Sequence, residues 1–319
     1  MMAGSNFGRI VKVRVYATSL SDVGLGASKI DYSNSYTEFS SVQKDGSQGF
    51  RIKGNIVQVM PTVAFNTNQI HLTLYNLGKN SRSILQSQIG TKIEIFAGYN
   101  NVAVRIGAGN ILWCVTHKSG PDYITEIIAG DAQSALVNGT INKSFKGAVT
   151  YQQIINACIA AMAEDGITAG NIQDVPSGGF NQGHVLSRSP MVELFEVCQS
   201  IGLSATIVDG KVNVLKAGNG TPAPPITISV DTGLIGIPEV QPPGVIGFQD
   251  AASPVTASPQ NNVSFTHLLR CDLTLWQQVN IVSKFINGIY VIQSVTQDFD
   301  SWEGNFFSKC EASRPPAAA

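Results

Sequence analysis

The chain contains 319 residues, and because a single hydrophobic core stops growing beyond about 250–300 residues, we expect two or three domains. Charged residues make up 13% of the sequence, about half the share of an ordinary soluble protein, and Ser, Thr, Asn, Gln and Gly take their place. The formal net charge of −1 excludes a general basic field that would hold nucleic acid. This composition favours an assembly subunit, although a secreted β-protein has a similar composition.

The N-terminal part begins with a predicted strand over residues 9–16, where apolar residues alternate with Lys12 and Arg14. Residues 17–49 follow as a polar stretch rich in Ser, Gly, Asp and Asn. Loops longer than about 12–15 residues are uncommon in compact domains, so such a stretch is either disordered or ordered by a partner. Our hypothesis is that it becomes ordered only on assembly, by reaching a neighbouring part of that assembly.

Strands then continue through the rest of the N-terminal part. They are predicted over residues 50–65, 69–77, 91–97, 103–116 and 122–129. A short helix near 80–87 interrupts them, with Asn80 or Ser81 as its N-cap. Short strands at this spacing are typical of a barrel or a sandwich.

The middle of the chain changes to a helical period. One helix is predicted from Thr150 to a point before Gly166, and a second opens at Ser189-Pro190 and ends at Gly202. The following segment reads as a hairpin, because Asp209-Gly210 suits a two-residue turn that needs positive φ angles. These elements together predict a small α/β domain.

After a Pro- and Gly-rich linker the chain returns to strands, so the predicted order is β, then α/β, then β. The predicted boundaries are 1–137 for the N-terminal β part, 138–217 for the α/β domain, 218–225 for the linker and 226–319 for the C-terminal β part. Within the last part, residues 249–262 read as an insertion and the closing Pro-Pro-Ala-Ala-Ala as a disordered tail.

The cysteines and the apolar runs indicate where the protein folds. The five cysteines are odd in number and contain no Cys-x-x-Cys pair, which favours reducing cytoplasm over a disulfide framework. Cys158 and Cys198 fall on apolar faces of the predicted helices, where a small buried thiol is the ordinary interpretation. No signal peptide and no run of about 18 apolar residues is visible, so we expect a soluble protein without membrane insertion.

Histidines, cysteines and glycine pairs give no convincing catalytic pattern. Cys114 and His117 lie three apart on a predicted strand, so their side chains point to opposite faces. His71, His184 and His267 have no second ligand at a useful spacing. The isolated Gly-x-Gly pairs are Gly24-Leu25-Gly26 and Gly107-Ala108-Gly109, and the second is better explained by a strand bulge than by phosphate binding.

Paired carboxylates are the remaining enzymatic possibility. Glycoside hydrolysis needs two carboxylates a few ångströms apart, which sequence alone does not exclude. The acidic candidates are Glu38, Glu94, Glu126, Asp298, Asp300 and Glu303. No nucleophile or base has a recognisable setting. We therefore predict no enzyme activity, no catalytic, cofactor-binding or metal site, and no cofactor.

Five stretches in the same order resemble one protein family. They are LTLYNLGKNSRSILQSQIGTKIEIFAGY (72–99), INKSFKGAVTYQQII (141–155), IVDGKVNVLKAG (207–218), DTGLIGIPEV (231–240) and INGIYVIQSVTQDFDSWEGNFFSKCEA (286–312). Together they resemble the baseplate hub proteins of contractile-tailed bacteriophages, relatives of the late-control tail protein D group. Two regions depart from the family, the inserted residues 249–262 and Leu275–Val279, which replace a usual proline-glycine turn.

The resemblance implies a fold and a structural function. It implies two tail-tube-like β-barrels joined by the α/β domain, and a homotrimer whose six barrels form a pseudo-sixfold ring. The tail tube protein would stack on one side, the tail spike protein on the other, and other baseplate proteins around them, while viral DNA passes through the channel without specific binding. The location would be the virion tail baseplate, assembled in the host cytoplasm.

Two other functions stay open at this point. One is a tail-associated peptidoglycan hydrolase, which would need a carboxylate pair. The other is a different tube or spike component of a contractile injection machine. A tube subunit would be a single barrel of about half this length, and the α/β domain counts against it.

Overall fold

Strands form most of the protein, as its computed structural model shows. The structure describes residues 8–16, 36–43, 45–60, 68–100, 102–130, 139–163, 166–216, 218–240 and 262–315. Thirteen strands from both ends of the chain belong to one continuous sheet, and the middle of the chain forms a separate α/β unit. The predicted class, mainly β with an α/β middle, is confirmed.

The N-terminal half forms a curled seven-stranded sheet, here called the N-barrel. Its strands are β1 (Ile10–Tyr16), β2 (Tyr36–Ser40), β3 (Ile52–Val59), β4 (Gln69–Tyr75), β5 (Lys92–Tyr99), β6 (Val102–Ser119) and β7 (Asp122–Gly130). They lie in the order β3-β4-β7-β6-β5-β1-β2. The two ends approach each other where Phe50 N donates to Ser40 O over 3.0 Å. Helix α1 (Lys79–Ser87) packs outside, between β4 and β5 in sequence.

Alternating apolar residues fill the N-barrel. On β1 the side chains of Val11, Val13 and Val15 are buried while Lys12 and Arg14 are half-buried, as the period of two predicts. The predicted bulge near Gly107 is confirmed, because the register between β5 and β6 shifts there. A Cβ on Gly107 would lie 2.8 Å from Ile56 Cδ1, so glycine lets the Ile56 side chain pack closely against the bulge.

The middle unit packs two helices against a small sheet. Its elements are β8 (Lys143–Phe145), β9 (Val149–Thr150), α2 (Tyr151–Met162), β10 (Thr168–Ile172), β11 (Gly179–Phe180), β12 (His184–Leu186), α3 (Pro190–Ser200), β13 (Leu203–Val208) and β14 (Lys211–Lys216). Thr150 and Gln153 form a capping box at the start of α2. Cys158 and Cys198 are buried in the core, as predicted, and burial raises the pKa of each thiol to about 12.

The predicted hairpin of the middle unit is confirmed. Strands β13 and β14 pair antiparallel from Leu203↔Lys216 to Val208↔Lys211. Asp209 and Gly210 have φ angles of 52° and 73°, the left-handed values that a tight turn of this type requires.

The C-terminal half forms a second curled sheet, here called the C-barrel. Its strands are β15 (Ile226–Ile228), β16 (Leu234–Val240), β17 (Asn262–Leu268), β18 (Gln278–Val282), β19 (Asn287–Asp300) and β20 (Phe306–Ser313). They lie in the order β15-β18-β19-β20-β17-β16. The end strands β15 and β16 are consecutive in the chain and are linked by a single 3-10 turn, Val230–Thr232.

One long strand joins the two barrels. The first part of β19 pairs with β18, and its second part pairs with β3 from Ser294↔Val59 to Asp300↔Lys53. Phe299 is fully buried at this seam. A Cβ on Gly54 of β3 would lie 2.5 Å from Phe299 Cζ, so glycine makes room for the ring across the seam.

Several predictions of detail need correction. Residues 36–40, placed in the long polar loop, form strand β2, which sequence periodicity misses because only Phe39 is fully buried there. Helix α1 begins at Lys79 with Gly78 as N-cap, not Asn80 or Ser81. The chain turns directly into the helix after Leu77, whose burial anchors it to the core.

Some predictions lie partly outside the described residues. These are the rest of the 17–49 stretch up to residue 35, the insertion over 249–261, and the tail from residue 316. The departure at Leu275–Val279 still contains a turn. Trp276 occupies its left-handed position with a φ of 68°, which is unusual for a bulky residue.

Candidate interaction surfaces

The hairpin β13–β14 lies where the two barrels meet. From the N-barrel side, Asn68 Nδ2 donates to Ile207 O over 3.2 Å. From the C-barrel side, Trp276 Nε1 donates to Thr206 Oγ1 over 2.9 Å. Both hydrogen bonds are buried, so the middle unit contacts both barrels through one rigid element.

A small apolar cluster surrounds these hydrogen bonds. Its buried members are Val208, Leu215, Leu275 and Trp276, with Met60 packed against them. The left-handed backbone at Trp276 is stabilised because its indole is fully buried in this cluster and its N–H is paired. The cluster therefore fixes how the barrels sit relative to the α/β unit.

Glu94 is the centre of an ionic network on the N-barrel. Its carboxylate accepts from Tyr16 Oη at 2.6 Å and lies 2.9 Å from Lys92 Nζ and 3.3 Å from Arg105 Nη1. Burial acts to raise the pKa of Glu94, but these hydrogen bonds and charges lower it below its ordinary value. Burial and the bond to Glu94 raise the pKa of Tyr16 to about 12.

The network extends to the middle unit. Arg105 Nη2 lies 3.8 Å from Asp209 Oδ2 at the tip of the hairpin. Burial raises the pKa of Asp209, against the opposing charge of Arg105 and a hydrogen bond from the Ala108 backbone. Polar contacts therefore reinforce the apolar junction between the N-barrel and the α/β unit.

The edge strand β2 is held by charge and aromatic contacts. Arg14 Nε donates to Glu38 Oε2 over 2.7 Å. The guanidinium of Arg14 also lies 4.7 Å from the ring centroid of Tyr36 and 4.6 Å from that of Phe96. These contacts explain why residues with little apolar periodicity still form a strand.

The candidate carboxylates take structural roles. Asp300 and Glu303 both contact Arg51 Nη2, at 2.7 and 3.2 Å. Asp298 accepts from Asn305 Nδ2 over 2.8 Å. Glu126 lies on β7, opposite Thr73 and Val115, and Glu38 and Glu94 belong to the contacts described above. The geometry thus links these groups to neighbouring strands and turns, and the prediction of no catalytic site stays a prediction.

Cys114 and His117 do not converge. Cys114 packs against the N-barrel core, and burial raises the pKa of its thiol to about 11. His117 is exposed on the same strand, as their three-residue spacing predicts. In the described part of the chain, no group of three or more His, Cys, Asp and Glu side chains is placed to hold a metal ion.

The other histidines are separate from one another. His184 stacks on Phe180 with ring centroids 4.4 Å apart, in the middle unit. His71 is exposed on β4. His267 is buried in the C-barrel, where its Nδ1 lies 2.7 Å from Leu268 O.

The C-barrel exposes apolar side chains at the hairpin between β18 and β19. Phe285 at the turn is 64% exposed, and Val282 and Ile289 on the adjoining strands are 47% and 44% exposed. Exposed apolar groups that cluster in this way mark contact sites for other proteins. We call these three residues the hairpin tip.

The edge strand β16 carries a second apolar group. Ile237 is 62% exposed, and Ile235 and Val240 on the same strand are 44% and 49% exposed. Strand β16 pairs only with β17 among the described strands. An apolar edge of this kind is an aggregation hazard unless another chain covers it.

Solved structures of phage tail proteins share this fold. A 43 kDa tail protein of prophage MuSo2 from Shewanella oneidensis superimposes with a TM-score of 0.57, covers 84% of this chain and 94% of its own, and is 13% identical. A tail protein from Neisseria meningitidis MC58 gives a TM-score of 0.60 over 97% of both chains at 11% identity.

A secretion-system protein also shares the fold. The E. coli c3393 protein is a component of the type VI secretion system with structural similarity to T4 bacteriophage tail proteins gp27 and gp5. It gives a TM-score of 0.54, covers 83% of this chain and 73% of its own, and is 8% identical. No protein-family model matches the sequence, and no curated protein matches it.

These comparisons define the class of fold. The chain has the fold of phage tail proteins, and the predicted likeness to tail proteins is confirmed at that level.

Within the described residues, no helix has the length and apolar character needed to cross a membrane.

Sequence reasoning missed the most informative contacts. The junction of Thr206 and Trp276 joins residues 70 positions apart, and no local pattern signals such a pair. The sequence does contain a signal for the hairpin tip. Phe285 and Ile286 stand beside Lys284 and Asn287 in a polar turn, where a large apolar residue is unexpected.

Proposed function

We propose that the chain is a structural subunit of a phage tail and serves as its baseplate hub. The observation that carries the proposal is the fusion of two curled barrels, edge to edge, through β3 and β19. A tail tube is built from rings of such barrels, so one chain would supply two adjacent positions of a ring. The tail proteins that share this fold support the assignment.

A ring of six barrels would then need three chains. In this proposal the homotrimer adapts the threefold tail spike protein to the hexameric tail tube protein, in contact with other baseplate proteins. It forms part of the channel through which viral DNA leaves. The near-neutral net charge of −1 suits a channel wall that lets DNA pass without binding it.

The junction between the barrels suits this role mechanically. A ring adaptor must hold the angle between its two barrels constant, since that angle sets the curvature of the ring. The buried hydrogen bonds of Asn68 and Trp276 to the hairpin, with the surrounding apolar cluster, provide that rigidity.

Exposed apolar groups supply candidate contacts between chains. Stable oligomer interfaces bury about 2,000 Å² or more and are rich in apolar side chains. The hairpin tip and the edge strand β16 are apolar surfaces on the C-barrel that fit this requirement. We propose that at least the hairpin tip is covered in the assembled ring.

The solution mass of the purified protein tests the proposal. Light scattering across a concentration series should give a trimer, or a monomer that becomes a trimer when the spike protein is added. A strict monomer that ignores both the spike and the tube protein would contradict the hub function.

A variant at the hairpin tip sharpens the same experiment. Phe285→Asp places a charge in the proposed interface and should weaken trimer formation at least about tenfold, as loss of a buried aromatic contact does. The control is Val185→Asp, because Val185 is 61% exposed on the middle unit. Equal weakening by both variants would remove the hairpin tip from the proposal.

A further inference from the structure

A polar cleft lies between helix α1 and the β6–β7 hairpin of the N-barrel. It has a volume of about 470 Å³, within the usual range of ligand-binding clefts. Its lining residues are Lys79, Arg82, Ser83, Gln86, Thr116, His117, Lys118 and Tyr123. The cleft is distinct from the apolar surfaces of the C-barrel.

The walls of the cleft are fixed by Asn76. This residue has a left-handed φ of 56°, and its Oδ1 accepts from Tyr123 N over 3.0 Å. Its Nδ2 donates to Asp122 Oδ1 over 2.8 Å. Asn76 thereby ties the chain entering α1 to the start of β7, so the cleft is preformed.

The lining is basic. Lys79, Arg82 and Lys118 contribute three positive charges, and the eight lining residues include no carboxylate. None of the three forms an ion pair with another described residue. The positive end of the helix dipole lies at the first turn of α1 and adds to the positive potential of the cleft. The first turn contains no acidic residue that would offset it.

Arg82 differs from the arginines that form ion pairs. Arginine side chains that pair with carboxylates elsewhere in the protein are Arg14, Arg51, Arg105, Arg188 and Arg270. Arg82 instead lies with its guanidinium 4.1 Å from the ring centroid of Tyr123. Its Nε is buried without a hydrogen-bond partner among the described residues, as is the Nε of Arg51, so Arg82 differs from Arg51 in having no carboxylate paired with its guanidinium.

We propose that this cleft binds carboxylate side chains from an acidic segment of a partner protein. The inference rests on the proposed function, because it names the chemistry of one partner surface of the assembled subunit. A planar guanidinium flanked by two lysines matches carboxylate acceptors. Ser83 and Gln86 add neutral polar groups at the same wall.

A protein partner fits the cleft better than nucleic acid. The net charge of the chain is −1, so the chain as a whole carries no excess of positive charge that would draw it to a phosphate backbone. One face of the Tyr123 ring is already covered by Arg82, which leaves less of the ring for stacking a base.

Binding of a labelled acidic peptide tests the inference. The probe is a fluorescein-labelled octaglutamate peptide, titrated at low ionic strength with the full-length protein and read by fluorescence anisotropy. Arg82→Gln and Lys118→Gln should each weaken binding at least about tenfold. Lys309→Gln is the matched control, because Lys309 is exposed on β20 and lies outside the cleft; it should leave binding unchanged.

Each other outcome overturns the inference. No saturable binding, or equal affinity in all four proteins, means that the cleft does not recognise carboxylates. Tighter binding of a thymidine octanucleotide with the same dependence on Arg82 means a nucleic-acid site. Competition by inorganic phosphate at the peptide's own concentration means a small-anion site.

The same samples separate this inference from the proposed function. Light scattering on the wild-type protein reports trimer formation independently of the peptide. A trimer without peptide binding removes only the acidic partner, whereas a strict monomer that binds the peptide removes only the hub. Lys118 is exposed, so Lys118→Gln should fold normally, and a thermal unfolding curve checks this for every variant.

Discussion

The two barrels look alike in outline but differ in how their cores are built. The apolar core of the C-barrel draws all its residues from the segment between Ile228 and Ala312. The core of the N-barrel also includes Leu269, Phe299 and Phe306 from the C-terminal part of the chain. The core of the N-barrel is therefore completed by residues from the C-terminal part of the chain. The described core of the C-barrel contains no residue from the N-terminal strands.

This asymmetry explains how the two barrels of one chain are held rigidly together. A flexible linker between complete barrels would leave their relative angle free. Here strand β19 pairs with strands of both barrels, and Phe299 and Phe306 from the C-terminal part of the chain pack in the core of the N-barrel. The N-barrel is therefore not complete without them. The hairpin of the middle unit then fixes the angle from outside.

The largest effect is expected from Phe299→Ala, which removes the borrowed side chain at the seam. Loss of a fully buried Phe should lower the free energy of unfolding by about 3–5 kcal/mol, since Phe299 is inaccessible to solvent. Hydrogen exchange should speed up more in β3 and β4 than in β15 and β18. Urea denaturation with exchange mass spectrometry measures both quantities.

The control for this prediction is Val185→Ala. Val185 is 61% exposed on the middle unit and lies outside the hairpin tip, so its truncation should change the free energy of unfolding by no more than about 0.5 kcal/mol. If Phe299→Ala instead accelerates exchange mainly in β15 and β18, the ring belongs to the core of the other barrel and the asymmetry is wrong.

A smaller loss is expected from Trp276→Phe, which tests the brace between the C-barrel and the middle unit. The substitution removes the buried hydrogen bond to Thr206 and part of the apolar contact. We expect a loss of about 1–3 kcal/mol in the free energy of unfolding, with faster exchange in β13 and β14.

Trp302→Phe serves as the matched control. Trp302 is 37% exposed and does not belong to the junction cluster. Equal thermal shifts in the two variants would show that the hydrogen bond to Thr206 adds nothing to the junction.

The smallest expected effect is a change with pH in the free energy of unfolding, which comes from His267 in the C-barrel. Burial lowers the pKa of His267, helped by the charge of Arg270 and opposed by the hydrogen bond to the Leu268 backbone. The unfolded chain, with an ordinary histidine pKa of about 6.5, takes up the proton first as pH falls. The stability that His267 contributes is therefore complete above about pH 6.5 and declines below it.

His267→Asn should flatten this pH dependence. An asparagine amide can replace the Nδ1–H donor towards Leu268 O but does not titrate. Urea midpoints at pH 7.5 and 5.5 should differ less in this variant than in the wild type, while His71→Asn, at an exposed position on β4, should leave the difference unchanged. The same pH dependence in all three proteins would contradict the assignment.

The elements were predictable where a local pattern reports burial. Alternation on β1, the turn residues Asp209 and Gly210, and the helical period after Thr150 each reflect nearby contacts. The family likeness then supplied the arrangement of barrels that such patterns leave open.

The contacts that define the surfaces were not predictable in this way. Strand β2 is held by Arg14 and Tyr36 through charge and ring contacts, which apolar periodicity does not register. The seam between Gly54 and Phe299 links residues at opposite ends of the chain. Such pairs depend on the tertiary fold, and a single sequence carries no signal for them.

Electron cryo-microscopy of the purified protein, alone and with the spike protein, tests the central claim most directly. The proposed function predicts a threefold ring of three chains with six barrel-sized densities around an open channel. Single chains under both conditions, or a closed particle without a channel, would contradict it.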